Sequence, residues 1–260
     1  MQIPIYQVDA FASRVFTGNP AAVCPLQVWL PDAQLQQIAA ENNLPETAFF
    51  IPDGDAYQLR WFTPAVEVEL CGHATLASAY VIFKELGVQS SQICFRTKSG
   101  EVTVQRQGDR LALDFPSRPP DACEVHPDLL RALGGQPEKV LAARDYLVVY
   151  PSEAELRALI PNLELLATLD RFAVIATAPS AQYDFVSRFF APAKGVPEDP
   201  VTGSAHCTLI PYWATRLGKR QLHAYQASAR GGELWCEDCG PRVRIAGHAV
   251  LFLRGSISLD

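Results

Sequence analysis

Apolar and polar residues alternate in short runs along most of the chain, and Gly, Pro and Asp break the runs at intervals. Alternation with a period of two marks half-buried strands. It predicts strands over 5–11, 21–26, 47–51, 57–62, 93–97, 102–106 and 111–115. Pro31-Asp32 opens a helix to about Glu41, with Leu35 and Ile38 on its apolar face. A second helix, from Ala74 to Leu86, reads differently. Leu76, Ala77, Ala79, Tyr80, Val81, Ile82 and Phe83 cover nearly every side of it. A helix apolar all round is enclosed on all sides, so the short strands around it predict a curled sheet wrapped about a central helix.

Ser117-Arg118-Pro119-Pro120-Asp121 reads as a linker, after which the order largely restarts. Strands are predicted over 146–150, 172–177, 185–190, 242–245 and 249–253. Ser152 and Glu155 form a capping box ahead of Leu156 and Leu159, and 126–133 reads as an added short helix. A second enclosed helix follows Gly203, carrying Cys207, Leu209, Ile210, Tyr212, Trp213 and Ala214. Pro211 lies inside it, where proline costs about 3 kcal/mol or kinks the helix.

The restart is a repeat. Arg60-Trp61-Phe62-Thr63-Pro64-Ala65 recurs as Arg188-Phe189-Phe190-Ala191-Pro192-Ala193, Gly72-His73-Ala74 as Gly203-Ser204-Ala205, and Leu86-Gly87 as Leu217-Gly218. The spacing shifts where Lys194 to Pro200 carries extra residues. The fold class read from this is α/β (α+β), with two pseudo-symmetric lobes over 1–116 and 117–248, each a curled mixed sheet around a helix. A cleft is expected where the paired helix starts meet.

Composition narrows the function. A net charge of −6 without a basic cluster argues against a nucleic-acid partner. No apolar run is long enough to span a bilayer, and the first residues show no secretory signal. Seven scattered cysteines suit reduced thiols and a cytoplasmic protein. Cys236 and Cys239 form a C-x-x-C without a second pair, read as a turn between strands rather than a zinc site, so no metal is expected.

The repeat also suggests a site. A helix start leaves backbone N–H groups unpaired and carries partial positive charge, and a glycine there lets a ligand approach closely. Two such starts, at Gly72 and Gly203, would hold a carboxylate. His73 and Ser204 follow the two glycines, and Asp199 lies just before the second helix. Glu46 sits at a loop-to-strand junction before Ala48-Phe49-Phe50, where a desolvated carboxyl is suited to trading protons near neutrality.

Gly18-Asn19-Pro20-Ala21-Ala22-Val23, Glu46-Thr47-Ala48-Phe49, Cys71-Gly72-His73-Ala74-Thr75 and Glu198-Asp199-Pro200-Val201-Thr202-Gly203-Ser204-Ala205 resemble motifs of the PhzF-type phenazine biosynthesis-like proteins. These belong to the diaminopimelate-epimerase-like superfamily. The resemblance covers essentially the whole chain. It implies that the strand at about 249–260 returns to the first lobe. It also implies cofactor-independent isomerisation of a small-molecule carboxylate, with no cofactor, and often a homodimer. Glu46 matches the family's proton-transferring glutamate. His73, Asp199 and Ser204 match polar residues around the substrate, Gly72 and Gly203 match the amides on its carboxylate, and Asn19 in the first motif is a further candidate. Two other readings stand beside this one. A two-thiol racemase would need paired cysteines, yet Cys71 maps onto Thr202 and Cys207 onto Leu76. A non-catalytic binding protein of the same fold is the other.

Overall fold

The computed structural model describes residues 1–259. The chain forms two compact units, one of Met1–Asp114 with the chain from Ala246 onward, the other of Phe115–Ile245. In chain order, the first contains β1 (Gln2–Ala10), β2 (Asn19–Pro25), α1 (Asp32–Asn42), β3 (Glu46–Asp53), β4 (Ala56–Phe62), β5 (Glu67–Val68), α2 (Gly72–Tyr80), β6 (Gln92–Thr97), β7 (Gly100–Gln107) and β8 (Arg110–Pro116). The second contains α3 (Leu129–Leu133), β9 (Lys139–Ala142), β10 (Tyr146–Val149), α4 (Glu153–Ala158), α5 (Leu163–Leu166), β11 (Val174–Ala178), β12 (Phe185–Phe190), α6 (Gly203–Leu217), β13 (Gln221–Gln226), β14 (Gly232–Asp238) and β15 (Arg242–Gly247). The last strand, β16 (Ala249–Ser258), pairs with β1.

Strand order in the first unit is β16-β1-β2-β3-β4-β6-β7-β8, with β5 on β4, and in the second β15-β14-β13-β12-β11-β10-β9. The joins repeat in kind. β2–β3 and β4–β6 are parallel, as are β10–β11 and β12–β13; β3–β4 and β6–β7 are antiparallel, as are β11–β12 and β13–β14. The repeated arginines also behave alike. Arg60 grips Glu67 through Nε and Nη2 at 2.8 and 2.9 Å, and Arg188 grips Glu198 at 2.7 and 2.9 Å. Each guanidinium also lies over the phenylalanine two residues on, Phe62 at 5.1 Å and Phe190 at 4.9 Å. A planar, always-charged fork suits such two-point contacts, which lysine cannot copy.

Every residue of α2 from Gly72 to Ala79 is buried. Enclosing Leu76, Ile82 and Phe83 contributes about 1.5–3 kcal/mol for each side chain. The expected helix to Leu86 needs correction: after Tyr80 the chain widens into a π turn, Val81–Glu85, in which Leu86 N–H reaches back to Val81 O at 2.9 Å. Arg106 compensates, donating to Phe83 O (3.3 Å) and Val88 O (3.0 Å) while stacking on the Phe83 ring. In α6 the carbonyl that Pro211 cannot serve, that of Cys207, accepts the Arg118 N–H at 2.8 Å. The helix therefore runs through the proline without leaving that acceptor buried and unpaired.

The outer cores sit on the far sheet faces. Leu35 and Ile38 of α1 pack with Cys24, Phe49 and Phe62; Leu156 of α4 and Leu129 of α3 pack with Tyr146, Val174 and Phe190. The added helix is shorter than expected, and β5, β9 and α5 carry no sequence signal that we read. Among the described residues no helix is long and apolar enough to cross a membrane.

Candidate active site

In the first unit, Asn19 and Glu46 open the neighbouring parallel strands β2 and β3, with Ala21 in register with Glu46. Gly18 precedes Asn19 in a left-handed conformation (φ 67°), and a Cβ there would lie 2.2 Å from Ala10 O, so glycine is required. Asn43, also left-handed (φ 48°), ends α1 and turns the chain toward Glu46.

His73 is the second residue of α2, whose start has no side-chain cap. Its Nε2 lies 3.0 Å from Glu46 Oε2, its Nδ1 3.2 Å from Asn19 Nδ2, and Cys71 Sγ is 3.5 Å from Nδ1. The Glu46 side chain is 16% exposed and that of His73 6%, so the pair is largely withdrawn from water. Oε2 is enclosed and meets no partner of good hydrogen-bond geometry among the described residues, which makes its approach to His73 an ion pair rather than an aligned bond.

Burial opposes charging His73, but the Cys71 sulfur and the Glu46 carboxylate act the other way and carry its pKa well above 6.5. Burial, helped by the Glu46 charge, pushes the Cys71 thiol up to about 11. The Cys71 sulfur, 3.5 Å from Nδ1, and the Glu46 carboxyl, 3.0 Å from Nε2, are the two groups that favour a proton on the ring. Donor atoms of Glu46, Cys71 and His73 lie within 4.8 Å of one another, a set able to hold a divalent ion.

In the second unit, α6 likewise begins without a side-chain cap, and Ser204 occupies the place that His73 has on α2. Arg144 Nη2 approaches Ser204 Oγ at 3.4 Å. That guanidinium is braced by Asp145 at 2.9 and 2.8 Å and lies over Phe172. Asp199 accepts from Thr202 Oγ1 at 2.5 Å, and Gln226 ties Thr202 N–H and Asp199 O together. His206 Nδ1 sits 2.8 Å from Thr202 O and must carry the proton, since a carbonyl only accepts; Nε2 is then a bare, enclosed acceptor. Burial lowers the pKa of His206 to about 4, so it is neutral where His73 is charged.

The first unit thus brings Asn19, Glu46, Gly72 and His73 together, and the second gathers Asp199, Gly203 and Ser204 at the head of α6. Sequence reasoning missed Arg144, Gln226 and His206. Arg144 meets Ser204 from 60 residues away and Gln226 meets Thr202 from 24, and no local pattern marks either. Cys71 stood in a motif but was weighed only as a paired thiol.

A profile of the phenazine biosynthesis-like protein family matches residues 8–255. A Pseudomonas aeruginosa protein named as an uncharacterized isomerase is 54% identical, over 100% of both chains. A crystal structure of a PhzF-family phenazine biosynthesis protein from Enterococcus faecalis superposes with a TM-score of 0.98 at 46% identity, covering 100% of each chain. A probable proline racemase from Agrobacterium radiobacter shares the fold, with a TM-score of 0.67 at 13% identity over 99% of this chain and 93% of its own. The architecture is the mixed α+β, diaminopimelate-epimerase-like fold.

Proposed function

The chain belongs to the phenazine biosynthesis-like protein family, and from that premise we propose that it isomerises a small carboxylate by proton transfer, with Glu46 as the group that removes and returns the proton. The observation that carries this is the 3.0 Å approach of His73 Nε2 to an enclosed Glu46 oxygen beside the uncapped start of α2.

The charge balance suits the chemistry. At rest the carboxylate and imidazolium cancel. When Glu46 takes a proton from a substrate carbon, the pair becomes net positive just as the substrate gains negative charge. A preorganised positive group in a site withdrawn from water stabilises that delocalised anion. Returning the same proton to a different carbon completes an isomerisation with no change in oxidation state. In the first unit the amides that begin α2, at Gly72, are assigned to the substrate carboxylate; in the second, the start of α6 at Gly203 is an anion-binding start of the same kind, with Asp199 and Ser204 as polar groups suited to a substrate. A two-thiol mechanism is disfavoured: the N-cap matching Cys71 is Thr202, whose hydroxyl is committed to Asp199.

The test uses Glu46→Gln with a panel of small unsaturated and amino carboxylates in D2O. Wild type incorporates solvent deuterium into its substrate; the variant binds the same compound but exchanges at least about 10²-fold more slowly. Undiminished exchange in Glu46→Gln removes the glutamate from the mechanism. Binding without exchange by the wild type favours the non-catalytic reading.

A further inference from the structure

The head of α6 is held by a side chain to which the chemistry above gives no part. Gln226, the last residue of β13, is fully enclosed, and both ends of its amide are engaged. Its Oε1 accepts from Thr202 N–H at 2.8 Å; its Nε2 donates to Asp199 O at 2.7 Å and to Thr202 Oγ1 at 3.1 Å. Turned over, the amide would set its oxygen against the Asp199 carbonyl and its NH2 against the Thr202 N–H. Only one orientation is therefore chemically allowed.

That orientation propagates. An amide NH2 only donates, so Thr202 Oγ1 receives it and must send its own proton elsewhere. The proton points to Asp199 Oδ2, 2.5 Å away. An oxygen held this way accepts, as an ionised carboxyl does. Among the charged groups near this turn, Glu198 pairs with Arg188 of β12, Arg144 with Asp145, and Lys194 lies over Phe172. His206 of α6 is neutral. Ser228 Oγ adds a bond to Pro200 O at 2.8 Å, bracing the same loop.

We propose that Gln226 is a positioning residue, which through the Thr202 hydroxyl holds the Asp199 carboxyl as a hydrogen-bond acceptor and fixes the loop 199–202 that presents the first amides of α6. Its relevance to catalysis rests on the reading of Asp199 as a substrate-holding group; the relay itself does not.

The experiment follows the Asp199 γ-carboxyl by NMR in full-length protein labelled with ¹³C-aspartate, the resonance being assigned with Asp199→Asn. Wild type is compared with Gln226→Met, which nearly fills the space but cannot donate. Thr202→Val, which keeps the N–H bond and deletes the hydroxyl, serves as a second route if Gln226→Met does not fold. In wild type the Asp199 midpoint lies below about 3.9, the ordinary aspartate value. Either variant raises it by about one pH unit, a tenfold gain in proton affinity. The double variant adds nothing further, because both changes cut one relay. A midpoint that stays put in folded Gln226→Met, or one that moves only in Thr202→Val, overturns the proposal, whatever happens to Tm. No substrate is required, so failure of the isomerase reading and failure of the relay are separately visible.

Discussion

Acidification should weaken this fold through His206, by an amount the structure allows to be worked out. The side chain is fully enclosed, and burial takes its pKa from 6.5 to about 4. In the unfolded chain the ring takes up a proton near the ordinary value; in the fold it refuses one until the solution is far more acidic. Between those two values the unfolded chain binds more protons, so stability falls as pH falls. The gap is worth about 3 kcal/mol, fully lost near the lower value and absent above neutrality. His73 has the opposite sign in a different window. Its raised pKa contributes stability that is complete below 6.5 and is lost as pH climbs through the folded value. The assay is urea unfolding at a series of pH values, for wild type and His206→Asn. Asparagine can place an amide nitrogen near Nδ1, keep the bond to Thr202 O and yet never titrate. Between about pH 7 and pH 5, wild type should lose about 2 kcal/mol more than the variant. Parallel stability curves for the two proteins would refute the reasoning, since the lost slope could then not belong to this ring.

Two further outcomes concern the first unit. The His73 ring, followed by NMR, should remain protonated above pH 6.5 in wild type, and Glu46→Gln should lower its pKa, because one of the two groups that oppose burial is then gone and only the Cys71 sulfur remains; a midpoint unmoved by the substitution would show that Glu46 is not a supporting charge. Gly18→Ala forces a side chain into a left-handed backbone with its Cβ 2.2 Å from Ala10 O. It should cost roughly 2–4 kcal/mol in chemical unfolding and loosen Asn19 from His73, and a cost below about 0.5 kcal/mol would mean the turn is less constrained than its geometry implies.

The contrast between the two buried histidines shows where sequence reading stops. Both lie near the starts of repeated helices, and both sit in apolar runs. One has its pKa raised because the Cys71 sulfur and a carboxylate from β3 reach it; the other has it lowered because burial is met only by a carbonyl. Burial could be guessed from the pattern for both, but the partner that decides the sign could not. Pro211 makes the same point for stability. The sequence states the lost hydrogen bond, while the relief comes from the backbone of Arg118, in what reads locally as a linker.

What the chain by itself determined was local and periodic. Alternating residues set the strands, apolar coverage on every side marked α2 and the helix after Gly203 as central, and the repeat declared two like units. These properties depend on neighbours within a few positions, where steric and solvation preferences act directly. Only the tertiary structure decided which polar groups meet: Asn19 with His73, Arg144 with Ser204, Gln226 with Thr202. Such pairings are made by strand order and register. In a buried site a hydrogen bond or ion pair acts over about 3 Å, so which groups come within that reach depends on the folded path, and no short stretch of sequence encodes it.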